Sequence, residues 1–442
     1  MTRIKLIWIA LCVALAAACS VDEEFRRSDS RDSRDIPPTR SDDSEMRNVL
    51  LLYSAGFNSL STYLREDIED ELMSGYIPSG GRNDNVLLVF SKLTAKPRDY
   101  QTQTSPVLFR LYKDARGEVV SDTLRTWPVG TRAVDADVVT DVLNCVRERF
   151  PAAGYGVIFS SHATGWMPEG YYSDPYYFDG GSGDDFWNAP RRLYRYREIG
   201  DDAWPAVKSV GQEYADGTSE SYEIDLEDFA DAIPFKLDYL IFDACLMGGV
   251  EVAWALRDKA SLVAFSQTEI LADGMPYKTL GNTLLGPAGP DVRKVCEDYF
   301  EQYSSRSGSS RSATISLIDT RGMEALAGEC ALLFEQYRDE IASLQYKSVQ
   351  CFGRYVSGYD RHWFFDLRDI IEKAGATEEE LEAFDVILSG AVLYAAHTPT
   401  FLNLTINTDC GLSMYLPVAG SDYLNEFYRS SISWNDVTAL VK

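Results

Sequence analysis

The sequence is short of histidine, of positive charge and of long apolar runs, and each shortage narrows the functions open to it. Three histidines occur among 442 residues, and 68 acidic side chains against 42 basic ones give a net charge of −26. A charge of this sign repels polyanions and attracts cationic peptides, so we expect no nucleic acid partner. After residue 18 no segment approaches the ~20 apolar residues of a membrane-spanning helix, so an integral membrane protein is not expected.

The eight cysteines show no short repeated spacing, which argues against a zinc cage. Cys12 falls in the N-terminal apolar segment and Cys19 just after it. The other six are Cys145, Cys245, Cys296, Cys330, Cys351 and Cys410. If one of these is a free nucleophile, the remaining five cannot all pair, so a disulfide framework is not indicated.

No cofactor is expected from the sequence. Two acidic clusters, Asp184-Asp185 and Asp201-Asp202, could bind calcium. Neither lies in a loop with the ligand spacing of a calcium hand, and a solvated acidic loop is the simpler interpretation.

The N-terminus has the layout of a bacterial lipoprotein signal. Two basic residues precede an apolar run at 6–15, and three alanines at 16–18 form a small-residue cleavage site before Cys19. Residues 1–18 are therefore predicted to be removed and Cys19 to be acylated; the alternative is an ordinary secretory signal with an incidental cysteine. Residues 19–47 are charged and nearly free of aliphatic side chains, which predicts a disordered linker. We expect a lipid-anchored protein of the bacterial cell envelope, at the outer membrane or cell surface.

A cysteine lies at the end of a predicted buried strand. Residues 238–243 form a short aliphatic and aromatic run, two glycines follow at 248–249, and apolar residues then recur at helical spacing. Cys245 is thus placed at the carboxyl end of a strand, the edge at which open α/β sheets hold catalytic groups. A nearby helix N-terminus would favour the thiolate. The alternative is a buried structural cysteine.

A histidine ends a second predicted strand of the same kind. Residues 154–160 form an apolar run, and His162 follows it. If the two strands are neighbours in a parallel sheet, His162 and Cys245 emerge side by side, which is the minimum for an activated sulfur nucleophile. Asp243, two residues before Cys245, points to the same face of its strand. Asp243 either receives a basic side chain of a substrate or is a structural residue bonded to backbone N–H groups.

These two motifs resemble the clostripain family of cysteine endopeptidases. The Cys motif matches at residues 243–247 and 251–253, the His motif matches at His162, Gly165 and Trp166, and weaker similarities follow at 274–277, 365–369 and 411–417. The chain departs from the family at Ser161, where Asp is frequent, and at Ala163, where the family has Gly. If the family glycine has a positive φ, Ala163 would be strained by roughly 1–3 kcal/mol, and otherwise it is tolerated.

The resemblance implies a set of roles for residues of this chain. Cys245 would be the nucleophile and His162 the acid and base, with the N–H groups of Cys245 and Ala163 as oxyanion donors. Asp243 would accept the Arg or Lys side chain that precedes the cut bond. Relatives are often activated by cleavage between the two motifs, which implies self-cleavage in the segment that separates them here.

Strand-like runs alternate with helical segments, which predicts an α/β fold with a mostly parallel central sheet flanked by helices. The resemblance makes this a caspase-like sandwich. Residues 48–320 are predicted to be the peptidase core, and 321–442 a C-terminal α/β extension, either part of the same fold or a small subdomain. Predicted helices include 60–73, 322–345 and 378–395, and an edge hairpin is predicted at 106–124. Residues 167–222 have no clear periodicity and form a long insertion between the His and Cys motifs.

The leading hypothesis is a membrane-tethered cysteine endopeptidase that acts as a monomer and cuts protein or peptide substrates after Arg or Lys. A rival is a catalytically inactive caspase-like surface lipoprotein that serves as a binding module; a third is another Cys hydrolase, such as an amidase of small peptides. The insertion carries Arg191, Arg192, Arg195 and Arg197, which would occupy the site as tethered ligands and be cut by the enzyme itself. Alternatively, these arginines pair with local carboxylates on the surface.

Overall fold

A mixed nine-stranded sheet forms the centre of the protein. The computed structural model describes residues 47–96, 102–172, 175–179, 194–195, 213–214, 220–356, 359–360 and 362–442. The sheet contains β1 (Asn48–Gly56), β2 (Val86–Leu93), β3 (Val107–Lys113), β4 (Val119–Thr126), β5 (Gly154–Ser160), β6 (Leu237–Asp243), β7 (Ala260–Phe265), β8 (Thr314–Asp319) and β9 (Val392–His397). Their order is β9-β8-β7-β6-β5-β1-β2-β3-β4.

The five central strands run parallel, and two antiparallel strands flank them on each side. Every residue of β2 is buried, as is every residue of β1 after Asn48, because both faces of these apolar runs are covered. At the edge of the sheet, β4 has no fully buried residue. The predicted α/β fold with a central sheet flanked by helices is confirmed.

The helices are α1 (Ser61–Glu66), α2 (Ala136–Arg149), α3 (Pro175–Asp179), α4 (Leu226–Asp231), α5 (Val250–Ala255), α6 (Tyr277–Leu285), α7 (Val292–Ser304), α8 (Met323–Gln336), α9 (Arg338–Ala342), α10 (Leu367–Lys373), α11 (Glu378–Ala391), α12 (Asp422–Ser431) and α13 (Ser433–Thr438). One series of contacts runs α2-α4-α5-α13-α8-α11, and another joins α6 to α7. A π-helical turn, Asp67–Glu71, and a 3₁₀ turn, Leu72–Ser74, continue α1.

Three helix predictions need correction. The helix expected at 378–395 ends at Ala391, and the next residues form β9, which pairs with β8. The helix expected at 322–345 is interrupted at Tyr337, whose ψ of 24° is not helical. Only the first turns of the helix expected at 60–73 are α-helical. Helices α6, α7, α12 and α13 were not predicted.

Smaller strand pairs lie around the sheet. Phe365–Asp366 pairs with Ser413–Met414, Thr400–Phe401 with Leu404–Thr405, and Tyr355–Val356 with Tyr359–Asp360. Within the insertion, Glu220–Tyr222 pairs with both Tyr194–Arg195 and Glu213–Tyr214. In the part of the chain that the structure describes, no helix has the length and apolar character needed to cross a bilayer.

Candidate active site

The loops that follow β5 and β6 leave the same edge of the sheet. These strands are parallel neighbours, and Ser160 at the end of β5 pairs with Asp243 at the end of β6. His162 and Cys245 each stand two residues beyond that paired position. The structure therefore brings the predicted His and Cys to adjacent loops.

The loop after β6 is held in a strained conformation by the loop after β7. Leu246 has a φ of 58°, a left-handed value that costs a non-glycine residue roughly 1–2 kcal/mol. Its N–H donates to the Thr268 carbonyl at 2.9 Å, and the Gly248 N–H donates to the Ser266 carbonyl at 2.7 Å. A Cβ atom at residue 248 would lie 2.6 Å from the Gln267 nitrogen, so only glycine fits there. This bend turns the chain from β6 into α5 and fixes the position of Cys245.

The sulfur of Cys245 accepts a hydrogen bond from the backbone N–H of Ile270, at 3.1 Å. Ile270 belongs to the loop after β7, and both residues are completely buried. An N–H donor directed at sulfur stabilises the thiolate relative to the thiol. Sequence reasoning did not identify Ile270, because its backbone, not its side chain, makes the contact.

The loop after β5 is tied to the end of β1. Ser59 Oγ lies 2.9 Å from His162 Nε2, and the Ser161 hydroxyl donates to the Ala55 carbonyl at 2.7 Å. Ser59 therefore orients the imidazole through one ring nitrogen. This residue was missed by sequence reasoning, although it follows a strand that is the direct neighbour of β5 and so emerges at the same edge.

Ala163, proposed as an oxyanion donor, is buried and is not one of the described residues with a positive φ. The left-handed residue of this loop is Gly165, with a φ of +64°. The conditional strain at Ala163 therefore does not arise. Trp166, which ends the motif, is buried against the rings of Phe364, Tyr415 and Tyr428.

Asp243 is completely buried and is bonded by two side-chain hydroxyls. The hydroxyls of Ser160 and Tyr277 both donate to its Oδ2 at 2.7 Å. These two hydroxyls hold the Asp243 side chain in place at the end of β6. Burial raises the pKa of Tyr277 well above its usual value, and the negative charge of Asp243 adds to the rise.

Further acidic and aromatic groups surround Asp243. Burial raises the pKa of Glu71, and the carboxylates of Asp273 and Asp243 raise it further. Asp273 is paired with Arg306 at 2.7 Å, and that guanidinium lies over the Tyr303 ring, 4.5 Å from its centroid. The surroundings of Asp243 are therefore suited to a cationic side chain.

The first part of the insertion packs against the C-terminal part of the chain. Tyr171 stacks on Tyr423 with ring centroids 5.6 Å apart, and it also contacts Trp363 at 5.4 Å. Tyr172 and Trp363 are both mostly buried and contact each other. Since Cys245 and His162 are themselves 0% exposed, the intact chain encloses both side chains.

A second part of the insertion is anchored next to the His162 loop by a buried ion pair. Glu213 pairs with Lys92 of β2, and neither side chain is more than 2% exposed. The other Glu213 oxygen accepts from the Ala133 N–H at 2.6 Å. The Tyr214 N–H donates to the Phe57 carbonyl at 2.9 Å, two residues before Ser59.

Several predicted residues lie outside the described part of the chain. These are Cys19, the acidic clusters at 184–185 and 201–202, Arg191, Arg192, Arg197 and the side chain of Arg195. Within the described ranges, no group of three or more His, Cys, Asp or Glu side chains is arranged to hold a metal ion. A cavity of about 460 Å³ lies away from Cys245, between residues 346–351, His362 and 404–408.

Comparison with known proteins found a matching family and similar structures. The model described as the clostripain family matches residues 52–191 and 198–438. A solved structure of an inactive zymogen C11 protease from Parabacteroides distasonis is 25% identical, with a TM-score of 0.67, over 89% of this chain and 98% of that one. A secreted C11 cysteine protease from Bacteroides thetaiotaomicron, in complex with an irreversible peptide inhibitor, is 24% identical, also with a TM-score of 0.67, over 89% and 99%. At that identity, the second similarity bears on the fold alone. No curated protein matched the chain.

Proposed function

The chain belongs to the clostripain family of cysteine proteases, and from this premise we propose that it is an endopeptidase that cuts peptide bonds after Arg or Lys. The observation that carries the proposal is the pairing of Ser160 with Asp243, which sets His162 and Cys245 on adjacent loops of one sheet edge. Cys245 is assigned as the nucleophile and His162 as the general acid and base.

The proposed reaction has two halves. His162 takes the proton of the Cys245 thiol, and the sulfur attacks the carbonyl carbon while the N–H groups of Cys245 and Ala163 hold the oxyanion. Collapse of this intermediate breaks the C–N bond, and His162 gives its proton to the departing amine. Water then loses a proton to His162 and attacks the thioester, which releases the carboxylic acid and restores the thiol.

The preference for a basic side chain is assigned to Asp243. Its side chain is buried and held by two hydroxyls, and its charge, with that of Asp273, contributes to the raised pKa of Glu71. A Lys or Arg side chain of the substrate in this position would form a charge-assisted pair with the carboxylate. Asp273 already pairs with a guanidinium of this chain, that of Arg306.

The two departures from the family motif do not favour an inactive binding module. The Ser161 hydroxyl ties the His162 loop to β1, and Ala163 has no left-handed backbone strain. Both substitutions are therefore compatible with the loop geometry that the reaction requires.

We assign the intact chain to a closed form that is opened by its own cleavage. Cys245 and His162 are fully buried, and residues 171–172 of the insertion pack against Trp363 in the C-terminal part of the chain. Arg191, Arg192, Arg195 and Arg197 are the proposed cleavage positions.

A lipid anchor at Cys19 is proposed from the sequence motif alone. It would hold the protein at the outer membrane or surface of a bacterial cell, since several acyl chains give durable attachment. A Cys19→Ala variant should lose labelled palmitate and move to the soluble fraction; equal membrane binding by both proteins would contradict the anchor.

The endopeptidase proposal is tested with fluorogenic peptides that end in Arg, Lys or Gln before the reporter group. The protein should release the reporter from the first two, and Cys245→Ala and His162→Ala should each abolish release. Cys296→Ala, which changes a buried cysteine of α7, is the matched control and should remain active. Release that persists in Cys245→Ala would reject the assignment.

A further inference from the structure

A buried arginine–glutamate pair includes the residue just before Ile270, whose N–H contacts the Cys245 sulfur. Arg354 donates through two guanidinium nitrogens to the two carboxylate oxygens of Glu269, with the Nη2–Oε1 distance at 2.9 Å. Both side chains are at least nine-tenths buried. This fork geometry fixes both partners in one orientation and is more directional than a Lys–carboxylate pair.

Glu269 immediately precedes Ile270, whose N–H donates to the sulfur of Cys245. The preceding residues of this loop are held by β8: the Thr268 N–H donates to Thr314 Oγ1 at 3.0 Å, and Ser266 Oγ lies 2.8 Å from the same oxygen. The next residue of the loop is Glu269, whose carboxylate is held by its hydrogen bonds to Arg354. The orientation of the Ile270 N–H is therefore set between Thr268 and Glu269.

We propose that Arg354 and Glu269 are positioning residues that hold the Ile270 N–H on the Cys245 sulfur and so favour the thiolate that forms when the thiol loses its proton. This inference rests on the proposed role of Cys245 as the nucleophile. It assigns to Arg354 and Glu269 a role that involves no contact with the substrate. The other titratable groups at this sheet edge are His162, from the loop after β5, and Asp243, at the end of β6.

The electrostatics agree with this placement. Burial opposes the charge of Arg354, but Glu269 outweighs it and raises the pKa of the guanidinium, with a smaller contribution from Cys245. The arginine thus stays protonated at every pH at which the thiol titrates. A buried pair of this kind is costly to break, because removing one partner leaves the other charge without compensation.

The test measures the rate of Cys245 alkylation by iodoacetamide against pH, followed by peptide mass. Burial of the sulfur lowers the alkylation rate by the same factor at every pH and so does not move the midpoint of the rate–pH profile. That midpoint reports the titration of the thiol. In Arg354→Met the midpoint should rise by about one pH unit or more, as expected for loss of a hydrogen bond to a charged group. Arg354→Lys should raise the midpoint by less, because lysine keeps the positive charge and loses only the paired hydrogen bonds of the guanidinium.

A second variant separates positioning from misfolding. Arg354→Met with Glu269→Leu removes both charges together and replaces them with apolar side chains, which restores stability in comparable buried pairs. Its midpoint should stay raised. The matched control is Arg368→Met, which breaks an arginine pair with Asp385 on the surface and should leave the midpoint unchanged.

The outcomes distinguish this inference from the endopeptidase proposal, since alkylation requires no peptide cleavage. A raised midpoint in a protein that cuts no peptide would sustain the inference and reject the endopeptidase. A midpoint equal to that of the wild type in both Arg354 variants and in the double variant would overturn the positioning role, whatever the peptidase activity.

Discussion

Gly165 lies so close to Leu246 that a Cβ atom added at residue 165 would stand 2.6 Å from the Leu246 carbonyl oxygen. The first residue belongs to the His162 loop and the second to the Cys245 loop. Both have left-handed backbones, with φ of +64° and 58°. This contact joins the two loops directly and sets the separation of the groups they carry.

Gly165→Ala should therefore push the two loops apart and lower kcat/KM by at least about tenfold, which corresponds to a loss of about 1.4 kcal/mol of transition-state stabilisation. The matched control is Gly117→Ala, because Gly117 has a φ of +79° but no heavy atom within 4 Å of its added Cβ. The control carries the same backbone strain without the clash. Equal activity of the two variants on an Arg-ended peptide would show that the contact does not matter.

The second prediction concerns Asp243. Asp243→Asn keeps the size of the side chain but removes its charge, so the preference for an Arg-ended over a Gln-ended peptide should fall by about 2–5 kcal/mol if the pair is desolvated. Asp238→Asn, at the exposed start of the same strand, should keep the preference. The measurement is the ratio of kcat/KM for the two peptides. A ratio that is unchanged in Asp243→Asn would assign basic-residue recognition elsewhere.

The centre of the fold could be predicted because its strands are continuous apolar runs. Residues 154–160 were predicted as a strand with the bounds that β5 has, and the clostripain resemblance and the caspase-like fold are confirmed. The edge strand β9 was predicted as helix because it follows α11 without a break and contains two alanines, which favour helix. Its pairing with β8 overrides that local preference.

The site was only partly predictable for a related reason. Cys245, His162 and Asp243 lie at the ends of recognisable strands, so the sheet alone places them together. Ser59 and Ile270 reach the same edge from other loops, and their contacts depend on tertiary structure. Arg354 comes from an irregular segment more than a hundred residues after Cys245, and nothing in its local sequence distinguishes it.

A third prediction concerns the pH dependence of stability. Glu251, in the first turn of α5, is completely buried and accepts through Oε1 from the Tyr415 N–H and the Tyr428 hydroxyl, both at 2.9 Å. Burial raises the pKa of this carboxyl to about 7. The folded chain therefore binds the proton more tightly than the unfolded chain, and the stability it contributes is lost as the pH rises through about 7.

Glu251→Gln keeps a neutral acceptor of the same shape and should remove this dependence. When the pH rises from 5 to 8, the free energy of unfolding of the wild type should fall by roughly 2–3 kcal/mol more than that of the Gln variant. Urea unfolding at both pH values measures this, in a Cys245→Ala background that prevents self-cleavage. Glu324→Gln, on an exposed carboxylate, should show no such change. A constant difference across this range would mean that Glu251 is ionised in the folded protein.

The last prediction concerns opening of the closed form. Incubated wild-type protein should be cut after one or more of Arg191, Arg192, Arg195 and Arg197, whereas Cys245→Ala should stay intact. A tethered segment has an effective concentration of order mM, so the cleavage rate should not depend on protein concentration. New N-termini are identified by sequencing, and activity should rise in step with the cut.

The two fragments should remain together after this cleavage. β5 lies in the first fragment and β6 in the second, and the two strands are paired along five residues in the middle of the sheet. The buried Glu213–Lys92 pair also ties the start of the second fragment to β2. The cut protein should therefore elute as one species in gel filtration and separate only under denaturing conditions. Alkylation of Cys245 should become faster once the insertion is cut, because the sulfur is 0% exposed in the intact chain and opening gives the reagent access to it. Full activity from an intact chain, with Cys245 alkylated as fast before incubation as after, would contradict the closed form.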